Sequence, residues 1–389
     1  MKSIRLTICL LIIFVVLSLS VYAENDDSLL IKGISNYYNG LYNDTVDNLD
    51  AYLGNKSNRI TAEVDALYYQ TLAYLELNDI VNSKSNIKIL KDKGYQLGVL
   101  HWKLGKVYLN EKGYFDSSFY NEAKRELQIA NELGISSPDF HVDLAIAHQG
   151  LGNLEKAVDE YELALEKGIN VTDYINLASL YKEVGRLDSA LELYKKVQNE
   201  IPDNISIYLN MGNIYLEKQN YKLAIDIFKK GLEVNDAQIS LQTKLAQAYY
   251  MNGNYDNAKT KFHQIIEKNK NIYQAYYYLA EIYKHEENID LAIEYYKRAI
   301  DYNNNYLNAY LSLGNVYLDQ DKLYKAMTQF LKALESNPNH SSAHYYLALA
   351  YHKMDMKEAA IEELRKTLHL NPDNNEAKLL LEKLQGNRE

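Results

Sequence analysis

Two histidines four residues apart, His340 and His344, are the first side chains to test for chemistry, because that spacing can set two imidazoles on one helix face to grip a metal ion. No H-E-x-x-H pattern surrounds them, His340 follows Pro338 in a turn, and His344 holds a bulky packing position, so both read as structural. His141 and His148 take packing positions as well. The neighbouring carboxylates Glu286-Glu287 and Glu362-Glu363 could pair as acid and base, but the apolar residues beside them already face inward, which leaves the carboxylates on solvated faces. Cys9 is the single cysteine and sits in an apolar N-terminal run, so a chain trimmed of that run has no thiol for a disulfide, a nucleophile or a metal. No G-x-G-x-x-G, P-loop or G-x-S-x-G occurs. No metal or other cofactor is expected, and an enzyme, the remotest alternative, would need a site assembled from scattered residues.

The elements that position these side chains follow from a spacing of 34 residues. Small residues recur at Ala178, Gly212, Ala246, Ala280, Gly314 and Ala348, and again at Ala190, Ala224, Ala258, Ala292, Ala326 and Ala360. Large residues keep the same step at Tyr181, Tyr215, Tyr249, Tyr283, Tyr317 and Tyr351, and at Tyr194, Phe228, Phe262, Tyr296, Phe330 and Leu364. Two antiparallel helices approach closely only where their facing residues are small, so one small residue from each series marks a crossing within a helical hairpin. Pro202, Pro338 and Pro372 are placed to stop the second helix of a hairpin.

Each unit resembles the tetratricopeptide repeat (TPR), most clearly in Tyr310-x2-Leu313-Gly314-x2-Tyr317, Ala326, Phe330, Ala333 and Pro338. The resemblance implies an all-α fold, an α-α superhelix: a right-handed TPR solenoid of about ten helix-turn-helix repeats closed by a C-terminal capping helix. Residues 171–374 hold six regular units. Residues 98–170 hold two irregular ones starting near Gly98 and Pro138, with an aromatic insertion at 111–121 that carries Tyr114, Phe115, Phe119 and Tyr120. Residues 24–97 hold two degenerate units, around Gly33, Gly40, Leu49 and Tyr52 and around Leu67, Tyr74, Ile87 and Leu90. Residues 375–389 form the cap and tail, in which Glu382 replaces the small residue and refuses a further helix. With only Gly386 to Glu389 beyond the cap, no appended catalytic domain is expected in this chain.

The resemblance further implies a groove lined by first helices that binds protein or peptide. Carried over position by position, its candidate residues are Trp102, Lys106, Asn176, Ser179, Asn210, Asn213, Thr243, Gln247, Tyr277, Glu281, Asn315, Tyr345 and Leu349. Rings supply contact area and amides pair with an extended backbone. Asn213 and Asn315 fit helix packing equally well, and the lone tryptophan, Trp102, either anchors a partner or packs beneath the aromatic insertion. The basic set of a chaperone-type carboxylate clamp is missing, and an asparagine ladder that starts at Asn176 and Asn210 lapses at Lys244, Tyr278, Ser312 and Tyr346.

The first 23 residues read as an export signal: Lys2 and Arg5, an apolar run from Leu6 to Leu19, and Val21-Tyr22-Ala23 as a cleavage site. An uncleaved anchor helix is the alternative, and either exports the remainder to a periplasmic or secreted location, with no stable membrane insertion once the signal is cut. Removing Lys2 and Arg5 from 42 basic residues set against 52 acidic ones leaves a formal charge of −12, which disfavours nucleic acid as a partner. The expected role is a protein- or peptide-binding scaffold in a cell-envelope complex, and the alternative is a homo-oligomer that associates with itself as a structural element.

Overall fold

The computed structural model describes residues 28–54, 60–110 and 117–386, so the expected signal, Cys9, Tyr114, Phe115 and the extreme C-terminus lie outside it. Among the described residues all regular structure is helical, and the chain divides into two compact units at Glu200. The first contains five hairpins: α1 (Ser28–Tyr38) with α2 (Tyr42–Gly54), α3 (Ile60–Glu76) with α4 (Ile80–Asp92), α5 (Gly98–Asn110) with α6 (Ser117–Glu132), α7 (Pro138–Gly150) with α8 (Leu154–Lys167), and α9 (Val171–Glu183) with α10 (Leu187–Glu200). The second contains five more and a closing helix: α11 (Ile205–Glu217) with α12 (Tyr221–Val234), α13 (Ile239–Met251) with α14 (Tyr255–Lys268), α15 (Tyr273–His285) with α16 (Ile289–Tyr302), α17 (Leu307–Asp319) with α18 (Leu323–Ser336), α19 (Ser341–Lys353) with α20 (Lys357–Leu370), then α21 (Asn375–Gly386). Within each unit the second helix of a hairpin packs on the first helix of the next. First helices also touch one another, as α1 does α3 and α11 does α13, so they are drawn together along one face.

The small-residue series sits where helices cross. A Cβ added to Gly314 would lie 2.4 Å from the Phe330 ring, and one added to Gly212 would lie 2.2 Å from Phe228. Ala326 and Ala333 of α18 have no exposed surface, and neither does Phe330 between them. The degenerate N-terminal hairpins obey the same rule with other residues. Gly33 would place a Cβ 2.5 Å from Leu49, while the remaining crossings use Thr45, Thr71 and Ser83, all fully buried. Each of these three hydroxyls turns back onto the carbonyl four residues earlier, at Leu41, Leu67 and Asp79, so a polar side chain acts as a small apolar one.

Two further series with the same step fix the turns. The turn inside a hairpin passes through left-handed backbone at Gly185, Gln219, Gly253, Glu287, Asp321 and Asp355, where the four non-glycine residues have φ between 56° and 60°. The turn between hairpins is closed by Asn235, Asn269, Asn303, Asn337 and Asn371, whose side-chain oxygens each accept the backbone N–H two residues on, at 2.9 to 3.2 Å. Pro202, Pro338 and Pro372 each stand two residues beyond the end of a second helix.

Two expectations change. Glu363, read as lying on a solvated face, is buried, because its carboxylate meets the imidazole of His344 across the hairpin. Ser117 to Asn121, read as part of the insertion, form the first turn of α6, and Tyr120 packs its ring against Gly150 at the end of α7. Trp102 meets the ring of Phe140 edge-on at 6.1 Å, in the following hairpin, and shares a hydrophobic cluster with Phe119 of this segment, while Tyr114 and Phe115 lie outside the described residues. The extra residues lengthen the chain ahead of the crossing without moving the crossing itself, because Ala123 is fully buried beside Gly105.

Candidate functional site

The candidate residues all lie on first helices. In the second unit most of them belong to two rows, with Thr243, Tyr277 and Tyr345 on a third beside these, since the 34-residue step returns each position to the same face of the next first helix. One row is Asn213, Gln247, Glu281, Asn315 and Leu349; the other, one turn earlier, is Asn210, Lys244, Tyr278, Ser312 and Tyr346. The asparagine ladder that lapses in the sequence is thus a continuous line of mixed side chains.

Asn210, Asn213 and Thr243 meet around an open depression of about 770 Å³ between α11 and α13, with Lys244 and Gln274 on its rim. Thr243 donates to the carbonyl of Ile239, and Lys244 donates to Gln247 Oε1 at 3.2 Å. Further along, Tyr277 touches the rings of Tyr278 and Tyr306 at 5.3 and 5.2 Å, and Tyr250 touches Tyr278 at 5.2 Å. Glu281 lies among these rings. Its Oε1 accepts from Tyr296 at 2.6 Å and from Ser312 at 2.7 Å, joining α15 to its own second helix and to the next first helix. Burial first, and then the charge of Glu281, pushes the Tyr250 hydroxyl up to about 12 and raises those of Tyr277 and Tyr296 further. These phenols stay protonated and act as hydrogen-bond donors at any physiological pH. The side-chain oxygen of Asn315 is buried without a hydrogen-bond partner. Tyr345 leans on Tyr346, whose ring stacks on Phe330 at 5.7 Å.

The first unit holds the rest. Trp102 and Lys106 line a depression of about 320 Å³ with Glu76, Lys103 and Asn110. The Trp102 indole donates to Asp143 at 2.6 Å, and Lys106 stands 5.6 Å above the Trp102 ring. Burial raises the Asp143 carboxyl above its usual range despite that hydrogen bond and the nearby Lys106 charge. Asn176 is exposed on α9 and hydrogen bonds Tyr161, and Ser179 is paired with Tyr194 at 2.8 Å. Trp102 is therefore a half-buried member of this face, held by the hairpin that follows it.

The histidines are engaged structurally. His340 caps α19 by accepting the Ala343 N–H, and His344 uses one ring nitrogen on Glu363 and the other on the Pro338 carbonyl. His141 contacts Ser136 and Glu160. His101, which the sequence reading passed over, contacts Glu126 at 2.7 Å in the same arrangement. No cluster of three or more histidine, aspartate or glutamate side chains able to hold a metal exists among the described residues.

This architecture has counterparts. Residues 182–248, 243–306 and 341–374 match family models described as tetratricopeptide repeat, and residues 314–355 match one described as TPR repeat. No curated protein matches the sequence. Among solved structures, yeast Tom70 aligns with a TM-score of 0.54 at 15% identity, covering 93% of this chain and 96% of that one. A tetratricopeptide repeat protein from Parabacteroides merdae aligns with a TM-score of 0.52 at 26% identity, covering 63% of this chain and 98% of its own. Helical hairpins with small residues at their crossings, repeated in register and matched by four family models, make this chain a member of the tetratricopeptide repeat family.

Proposed function

We propose that the chain is a non-catalytic scaffold that acts outside the cytoplasm, where the first-helix face holds an extended segment of a partner protein during assembly of a cell-envelope complex. The observation that carries the binding reading is the pair of side-chain rows in the second unit, where four amides and the rings of Tyr278 and Tyr346 lie beside Tyr277 and Tyr345 on the first helices, next to the depression at Asn210 and Asn213. An extended backbone laid across such rows finds donors and acceptors at each helix, and the rings supply rigid contact area. The first 23 residues support export, and no described helix is long and apolar enough to cross a membrane.

The test is affinity capture of envelope proteins with residues 24–389, comparing the native sequence with Tyr277→Ala plus Tyr345→Ala. Truncating two groove aromatics should weaken capture of a discrete partner by at least about tenfold. Capture at full strength by the double variant would move the site off this face.

A further inference from the structure

Glu281 is the one acidic residue in either row of the second unit, and its carboxylate is largely withdrawn from water, with 15% of the side chain exposed. A buried carboxylate is normally compensated by a cation. Here the direct hydrogen bonds come from neutral donors, the hydroxyls of Tyr296 and Ser312, and both fall on Oε1, while the nearby cation is the partly exposed Lys284 of the same helix. The other oxygen, Oε2, is ion-paired with Lys284 Nζ at 3.7 Å, beyond hydrogen-bonding distance, and that lysine is 40% exposed. One carboxylate oxygen therefore keeps free acceptor capacity.

What surrounds it is aromatic. Tyr250, Tyr277 and Tyr278 come from α13 and α15, with neighbouring rings 5.2 and 5.3 Å apart, and all three hydroxyls feel the charge of Glu281. Ring faces attract a desolvated cation, and a carboxylate at the base of a ring cluster adds a charge-assisted hydrogen bond. The aligned positions in neighbouring repeats are Gln247 and Asn315, which are neutral, so repetition alone does not require an acid here.

We propose that Glu281 with Tyr250, Tyr277 and Tyr278 forms a subsite for a lysine or arginine side chain of the bound segment. The inference rests on the groove reading and adds a chemical class to it: the partner presents a basic residue in an extended stretch. Lys284 swings into solvent when the ligand cation takes its place, and the Tyr296 and Ser312 hydroxyls that hold Oε1 fix the carboxylate in position.

The experiment pans a phage library of random nine-residue peptides on the full chain and measures the affinity of selected peptides by calorimetry. Selected sequences should share a lysine or arginine, and replacing it with norleucine should weaken binding by about tenfold or more. Glu281→Gln, which still accepts the two hydroxyl hydrogen bonds, should cost a similar factor. The two changes together should cost little more than either alone, because each removes the same contact. Circular dichroism confirms that the variant folds, and if it does not, the norleucine peptide decides the matter on the native chain. Peptides that need Tyr277 and Tyr345 but tolerate loss of both charges would leave the groove reading standing and overturn the cation subsite. Peptides indifferent to Tyr277→Ala and Tyr345→Ala, or no selected peptides at all, would overturn both.

Discussion

Gly314 and Ala326 announce a close approach because no larger side chain fits between crossing helices. The partners of Glu281 could not be read in the same way, since Tyr296 and Ser312 lie 15 and 31 residues away and reach it only when three helices assemble. Thr45, Thr71 and Ser83 hid the N-terminal crossings for a related reason, because only the folded helix shows their hydroxyls bonded to their own backbone. Titratable residues in the first unit give a measurable consequence. Burial lowers the His148 pKa, outweighing the charge of Glu160 and assisted by Lys124 and Lys156, and its Nδ1 has no partner. Burial pushes Glu126 up, but hydrogen bonds from His101 and Arg125 outweigh that and leave its carboxyl below the usual range. Both groups have a folded pKa below the unfolded one, so both contribute stability at neutral pH that is lost on acidification. His148 loses its contribution as pH drops below about 6.5, and Glu126 does so below about 4.3. Melting followed by the fluorescence of Trp102, in the same unit, should show a midpoint that declines between about pH 7 and pH 5, and His148→Gln should flatten that limb. An unchanged slope in the variant would assign the effect elsewhere.

At the scale of helices and turns the sequence predicted hairpins and their proline stops, and the structure adds the two devices that set their spacing. The asparagine turns escaped notice because asparagine is common in this chain and its role depends on a side-chain oxygen meeting one particular N–H. The left-handed turns escaped because only Gly185 and Gly253 carry the expected glycine, whereas Gln219, Glu287, Asp321 and Asp355 adopt the same backbone at a cost. A non-glycine residue there is strained by about 1–2 kcal/mol, and glycine gives back part of that through the entropy of the unfolded chain. Glu287→Gly should therefore stabilise the chain by roughly 0.5–1 kcal/mol in chemical denaturation. The same change at Lys284, which lies inside α15, should destabilise by about 1 kcal/mol. A loss of stability at both positions would show that the Glu287 side chain does something the backbone does not reveal.

At the scale of the whole molecule stability is a sum of hairpins and the contacts between neighbours, with no single core that every residue serves. The family was legible because the same contacts recur, while the side chains that depart from the pattern, Glu281 in the second unit and Trp102 in the first, are read only from their own surroundings. The first helices α11, α13, α15, α17 and α19 begin at residues 205, 239, 273, 307 and 341, so the hairpins of the second unit recur in one register. Joining Gln238 directly to Tyr273, which removes Ile239 to Ile272, should give a shorter chain that folds with unchanged helicity per residue, as measured by circular dichroism. Aggregation of that product would mean that neighbouring interfaces are not interchangeable. For the gene that encodes this protein, a crossover between misaligned copies of the repeat that keeps the frame adds or removes a whole 34-residue unit in register, so the number of repeats can change in one recombination event while each surface position diversifies by point mutation.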